Sequence, residues 1–206
     1  MQFFAWGINK PGVKDRRTAI IKTHWDFIAQ YDDQLIARGP VMLPDDLSVV
    51  TGSIHIADLE DWDAARRFVY EEPFARAELF ADIMLTRFEL DLGRTQFEFE
   101  SNPDHPRYFI YCPAAEGSAA ERDALRDTHE AYCRGFDQHF VCRGSLLTFE
   151  GDWNGSLFFL EMPDRNVVDA FLEGEPYAQA GLFSETQVHR WTMGGPGNLN
   201  AAGALD

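Results

Sequence analysis

The chain has 206 residues, 45% of them hydrophobic and 14% aromatic, enough apolar material for a packed core and too much for general disorder. Lys and Arg number 18 against 34 Asp and Glu, a formal net charge of −16, and a field of that sign repels phosphate backbones and anionic lipid, so nucleic acid and membrane surfaces are not expected as partners. No apolar run approaches the roughly 18 residues of a membrane span, the start MQFFAWGINKPG is not a signal peptide, and Cys112, Cys133 and Cys142 show no CxxC or Cys/His ligand spacing; these features read as a cytoplasmic protein with reduced thiols.

Residues 3–8 are a short apolar run suited to a buried strand, punctuated by Pro11-Gly12. Ile20, His24, Phe27, Ile28, Tyr31 and Leu35, in steps of three and four, predict one long helix over 14–37, with Gly39 as its terminating C′ glycine. Strands are expected at 41–43 and 49–56 around the turn in LPDDLSVVT, then a helix capped by Asp58 that carries Trp62, Ala65, Phe68 and Val69. Pro73 limits that helix, because the residue before a proline is pushed out of helical conformation, and 83–90 alternates as a last strand. After a linker at 93–105 the order recurs: a strand at 108–112, a helix over 119–140 with Gly135 inside it, strands at 146–149 and 156–161, a helix at 166–172 and a strand at 186–192. Residues 194–206, rich in Gly, Ala and Asn, read as a flexible tail.

The recurrence is also one of residues. EEPFARAELF, starting at Glu71, and GEPYAQAGLF, starting at Gly174, agree at six of ten positions and stand 103 apart. Phe68 with Phe171, and Gly52-Ser53 with Gly155-Ser156, keep that offset, as does Arg87-Phe88 with Arg190-Trp191. Further back it becomes 105: Gly39 with Gly144, His24 with His129, Arg17 with Arg122, Phe4 with Phe109. One two-residue step in an otherwise constant offset is what a duplication with a loop deletion leaves, since loops absorb such changes cheaply. Two repeats follow, 1–92 and 106–193.

Each repeat reads β-α-β-β-α-β, the ferredoxin-like unit, whose antiparallel sheet carries helices on one face. The other face must be buried, and two units in one chain can press those faces together as a symmetric dimer does with two chains. The expected fold class is therefore α+β: tandem ferredoxin-like repeats forming a pseudo-dimer like a dimeric α+β barrel, with further homo-dimerisation left open.

Several runs resemble the YCII-related family: Arg17…His24 followed by Gly39-Pro40, Gly52-Ser53-Ile54-His55-Ile56-Ala57, Ala64-Ala65, Glu72-Pro73-Phe74 and Phe80-Ala81-Asp82-Ile83, then Arg122…His129…Gly144, Gly155-Ser156, Ala170-Phe171 and Glu175-Pro176-Tyr177. The resemblance implies a dimeric α+β barrel with a helix-borne His and an acid before Pro paired in a small cleft, here His24 with Glu72 and His129 with Glu175. It also implies chemistry without metal or organic cofactor, of the dehydrochlorinase or isomerase kind on small oxygenated aromatics. Both copies carry Glu where the family usually has Asp, and the second reads Gly144-Ser145 for Gly-Pro.

A lone His on an apolar helix stripe is ordinarily a core residue with one hydrogen bond. Its recurrence at both His24 and His129, while neighbouring stripe positions vary, singles it out as a candidate catalytic group, which a carboxylate would hold in one tautomer near neutral pH. Arg17 and Arg122, two turns before each His, would bind a substrate anion or else form surface salt bridges. Ser53 and Ser156 would place a hydroxyl at the cleft, unless the preceding glycines merely relieve crowding. His55 and His189 lie in strands without a repeat partner, His105 falls in the linker and His139 near a helix end, so they carry less, and no HxH, HExxH or EF-hand spacing supports a metal. The expected function is a cofactor-independent lyase or isomerase acting on a small molecule; the alternatives are a non-catalytic small-ligand-binding protein and a cofactor-free oxygenase.

Overall fold

In the computed structural model, which describes residues 1–195, the first repeat contributes strands β1 (Gln2–Asn9), β2 (Leu35–Met42), β3 (Val50–Asp58) and β4 (Phe80–Leu90), with helices α1 (Lys14–Ile28), α2 (Trp62–Glu71) and the single turn α3 (Pro73–Arg76). The second contributes β5 (Arg107–Pro113), β6 (Phe140–Leu147), β7 (Trp153–Glu161) and β8 (Gln187–Trp191), with α4 (Ala119–Arg134), α5 (Arg165–Gly174) and α6 (Pro176–Gln179). All strand pairings are antiparallel, and the strands close into one barrel in the order β1-β3-β2-β8-β5-β7-β6-β4. This is the expected tandem pseudo-dimer.

Strands β1, β6 and β7 are buried on both faces over most of their length, and β1 and β7 carry long apolar runs to match, whereas β4 and β8 are largely half-buried and carry polar residues. Along β1, Phe4 and Trp6 join Ile54, Ile56, Phe109, Leu157, Phe159 and Trp191 in a core built from both repeats, inside the barrel. Phe3 and Ala5 point the other way and pack with Ile28, Ala65, Phe68 and Val69 of the helices. The second repeat does the same with Ile110 and Leu160 against Cys133, Val168 and Phe171.

The two repeats meet at two seams related by the internal symmetry. At one, Val41 and Met42 of β2 pair with Trp191 and Arg190 of β8. At the other, Phe88, Glu89 and Leu90 of β4 pair with Leu146, Ser145 and Gly144 of β6. The duplicated glycine sits at both: a Cβ on Gly39 would fall 1.9 Å from the Thr192 carbonyl oxygen, and one on Gly144 would fall 2.1 Å from that of Glu89.

This corrects the reading of Gly39 as a helix C′ residue. The helix expected over 14–37 stops at Ile28 and tightens into a 3₁₀ turn, Ala29–Gln34, before β2 begins at Leu35. Likewise 119–140 divides into α4, ending at the cap Gly135, a 3₁₀ turn Asp137–His139, and β6. Leu35 and Phe140 are apolar at helical spacing because a buried strand wants the same residues, and periodicity alone does not separate the two. The cap of α2 is Asp61, whose carboxylate accepts from the Ala64 N–H, while Asp58 ends β3 and holds the N-terminal ammonium. Pro73 does end α2, and Glu72 before it is extended, with ψ of 145°.

The segment 93–105 is tied to the barrel: Gln96 accepts from the Arg38 N–H at 2.8 Å, and Ser101 and Asn102 donate to Glu161. The tail assignment falls largely on 196–206, outside the described residues. No helix among the described residues is long and apolar enough to cross a membrane.

A methyl group at either seam has no room to enter. Gly144→Ala should cost about 1–3 kcal/mol of stability in urea unfolding; an unchanged midpoint would show that the seam is looser than described.

Candidate active site

The site is assembled between α1 and the outer face of the first repeat's sheet. Three residues of α1 are buried, Arg17, His24 and Ile28, at spacings of seven and four, so one helical stripe facing the sheet carries two ionisable groups. On β3, Ile54 and Ile56 point into the barrel, which turns the alternate residues Ser53 and His55 toward that stripe.

Glu72 closes the site from the loop between α2 and α3. Extended by the following proline, it is the N-cap of α3, and its Oε2 accepts from the Phe74 N–H at 3.1 Å. The same oxygen lies 2.8 Å from His24 Nδ1. His24 and Glu72 are 7% and 4% exposed, so this pair is shielded from water. The imidazole also stacks on Phe74, centroids 4.0 Å apart and planes 16° from parallel. A carboxylate on Nδ1 accepts that nitrogen's N–H as a hydrogen bond and leaves the lone pair on Nε2, which among the described residues bonds to no protein group.

Arg17 lies against the same phenyl ring, its guanidinium carbon 4.0 Å from the centroid. Its Nη1 donates to Asn9 Oδ1 and its Nη2 to Ser53 Oγ, both at 2.9 Å. Burial lowers its pKa to about 10 although Glu72 pulls the other way, so it stays protonated at neutral pH.

These groups open onto a cavity of about 450 Å³, a volume typical of small-molecule sites. Lining it are Arg17, His24, Ser53 and Phe74, but not Glu72, which stands behind the imidazole. The far repeat contributes Thr192, Met193, Gly194 and Gly195, running past Gly39 with a Gly194 N–H to Arg38 carbonyl bond of 2.8 Å.

Sequence reasoning misses several lining residues, His55 and Arg38 among them. His55 lies 5.7 Å from His24, ring to ring, and edge-on to Phe68. Burial first, then the neighbouring His24, Arg38 and Arg17, whose positive forms repel a second charge, hold its pKa well below the ordinary 6.5, so it is a neutral imidazole. Its repeat counterpart is Phe158, so duplication gives no signal for it. Arg38 does leave one, since Arg38-Gly39 recurs as Arg143-Gly144. The pKa of His24 is lowered too, by burial first, with Glu72 opposing and Arg17 and Arg38 adding to the shift.

The second constellation is present but closed. His129 Nδ1 lies 2.6 Å from Glu175 Oε1, and Glu175 caps α6 by accepting from Tyr177 and Ala178. The imidazole stacks on Tyr177 at 4.0 Å and 2°. Here, though, Trp153 stands where the first repeat has Val50, packed edge-on to Tyr177 and under the Arg122 guanidinium. Arg122 bonds Asp123 at 3.0 Å and reaches Ser145 at 3.5 Å; among the described residues it makes no hydrogen bond to Ser156. So Arg17 and Ser53 are brought together, and Arg122 and Ser156 are not. Among the described residues no group of three His, Cys, Asp or Glu side chains could hold a metal ion.

The YCII-related domain matches residues 1–89 and again 107–192. No curated protein matches the chain by sequence. Among solved structures, the 5-chloro-2-hydroxyhydroquinone dehydrochlorinase of Burkholderia phenoliruptrix is 30% identical over 43% of this chain and 95% of its own, with a TM-score of 0.41. An anthrone oxidase-like protein is 12% identical over 94% of this chain and 91% of its own, with a TM-score of 0.56. A chlorite dismutase variant from Candidatus Nitrospira defluvii is 8% identical over 99% and 96%, with a TM-score of 0.61. The last two share the fold.

A buried neutral histidine makes stability depend on pH. Below pH 6.5 the unfolded chain takes up a proton that the folded His55 refuses, so stability falls as the pH falls from 6.5 toward the lower folded value. Substituting His55→Phe, the residue of the other repeat, should flatten that acid loss in urea unfolding from roughly pH 7 to pH 5, by at most about 1.4 kcal/mol per pH unit; an unaltered slope would place His55 in solvent.

Proposed function

This chain belongs to the YCII-related family, as two tandem copies in one polypeptide, and from that premise we propose that it is a small-molecule enzyme working by proton transfer, with His24 as the base and Glu72 as the group that orients it. The observation that carries the reading is the asymmetry of the two repeats. Both keep a buried His–Glu hydrogen bond, yet His24 lines the 450 Å³ cavity and His129 does not.

The chemistry follows from the hydrogen bond. Glu72 holds Nδ1–H and so presents the Nε2 lone pair toward the cavity. Burial keeps the ring unprotonated at neutral pH, the form that can accept a proton from an acidic C–H or O–H of a bound molecule. The imidazolium formed is then stabilised by the adjacent carboxylate. Return of the proton to a different atom gives isomerisation, and departure of a leaving group with its bonding electrons gives elimination. Arg17, with Ser53 and Asn9, is the binding end of the site. His129, Glu175, Arg122 and Ser156 are assigned to packing.

Deuterium exchange tests this whatever the final product is. Phenols and enolisable carbonyl compounds incubated in D₂O should lose one proton NMR signal with the wild-type chain and with His129→Gln. His24→Gln should exchange at least about 100-fold more slowly while melting within a few degrees of wild type. Exchange that survives in His24→Gln, or that is lost equally in His129→Gln, contradicts the assignment.

A further inference from the structure

The duplication supplies an internal control on charge. From the β1–α1 loop, α1 and β2, four basic residues line the first repeat's cavity: Lys10, Lys14, Arg17 and Arg38. Their counterparts in the second repeat are Ala115, Ala119, Arg122 and Arg143, so two of the four cations are absent there. The arginines that remain are neutralised at the site. Arg122 bonds Asp123 at 3.0 Å, and Arg143, buried to 2% exposure, bonds Glu130 at 3.0 Å with Asp91 at 3.7 Å.

In the first repeat those acids are missing. The position of Asp123 is Thr18, and that of Glu130 is Trp25; both line the cavity. Among the described residues not one Asp or Glu lines it, in a chain that carries 34 of them. Arg38 keeps a carboxylate, Asp32, at 2.8 Å. Arg17 has none within salt-bridge distance among the described residues, although it is 7% exposed, and its two hydrogen bonds go to neutral oxygens. A guanidinium has five N–H donors, so three remain for a ligand. Glu72 acts on Arg17 only through space, from behind the imidazole; a buried guanidinium with no carboxylate in contact is costly to fold around, and a site that keeps one is built for a charge brought by the ligand.

Geometry narrows the class. Arg17 and His24 each lie 4.0 Å from the centre of the Phe74 ring, so they stand within twice that distance of one another. Both are stacked on Phe74, so that span measures the phenyl ring; the size of a ligand comes from the cavity itself, whose volume of about 450 Å³ suits a small molecule, and Phe74 and Trp25 give it aromatic walls. We propose that the cavity takes a small arenecarboxylate, its carboxylate seated on the free donors of Arg17 and its ring directed toward His24 and His55. This rests on the reading of the cavity as the active site and supplies its substrate class. The lysines at the mouth would also draw an anion through the field of an otherwise acidic protein.

Isothermal titration of the full chain with benzoate and with benzamide, which has the same shape and no charge, tests the proposal. Benzoate should bind about tenfold tighter or more, since charge-assisted contacts to a buried guanidinium exceed neutral ones by that order, and its advantage should shrink at high salt. Arg17→Met, which keeps the stem over Phe74, should abolish the preference; if it fails to fold, Arg17→Lys should retain part of it. His24→Gln should keep the preference for benzoate over benzamide, which separates recognition of the charge from proton transfer. Benzoate binding no better than benzamide, including the case in which neither binds, overturns the proposal and leaves the proton-transfer reading to its own test. A preference that survives in Arg17→Met overturns it as well.

Discussion

A four-stranded antiparallel sheet with helices on one side leaves an apolar face that water penalises, and this chain covers it with a second copy of itself. Phe4, Trp6, Ile54 and Ile56 from one repeat meet Phe109, Leu157 and Phe159 from the other in a single core. Because each sheet supplies the other's missing layer, neither the barrel nor its two seams can be altered without cost. Gly39 and Gly144 record that constraint: the same glycine, duplicated, sits where each seam brings another strand's carbonyl too close for a side chain.

Covalent linkage of the copies removes the symmetry that two identical chains would impose, so the sites outside the barrel are free to differ. The buried His–carboxylate hydrogen bond persists in both, along with a stacked aromatic ring at 4.0 Å. In the second copy that arrangement is packed over by Trp153, and its arginines are paired with acids. In the first, Val50 leaves room, Thr18 and Trp25 stand where acids would be, and His55 adds a neutral imidazole. A protein with a formal charge of −16 thus holds a cavity lined by cations.

Much of this is legible in the residues. Register held over two repeats points to the barrel, and the repeated His and Glu point to two pairs that do form hydrogen bonds. Helix ends are not legible, because Leu35 and Phe140 satisfy both a helical stripe and a buried strand. Asp58 looks like a cap in sequence, but a cap is decided by which backbone N–H groups are within reach, and those belong to Asp61. His55 carries little weight in sequence for lacking a repeat counterpart, though such a lack is what a newly specialised site leaves behind. The closure of the second site rests on Trp153, whose effect depends on packing against Tyr177 and Arg122 from distant parts of the chain.

The central claim is that one of two homologous sites is open. The number of ligand sites per chain measures it directly, by calorimetric titration with benzoate. One site per chain is expected, and it should disappear in Val50→Trp, which carries the second repeat's tryptophan to the first. Two sites per chain, or undiminished binding by Val50→Trp, would contradict the claim.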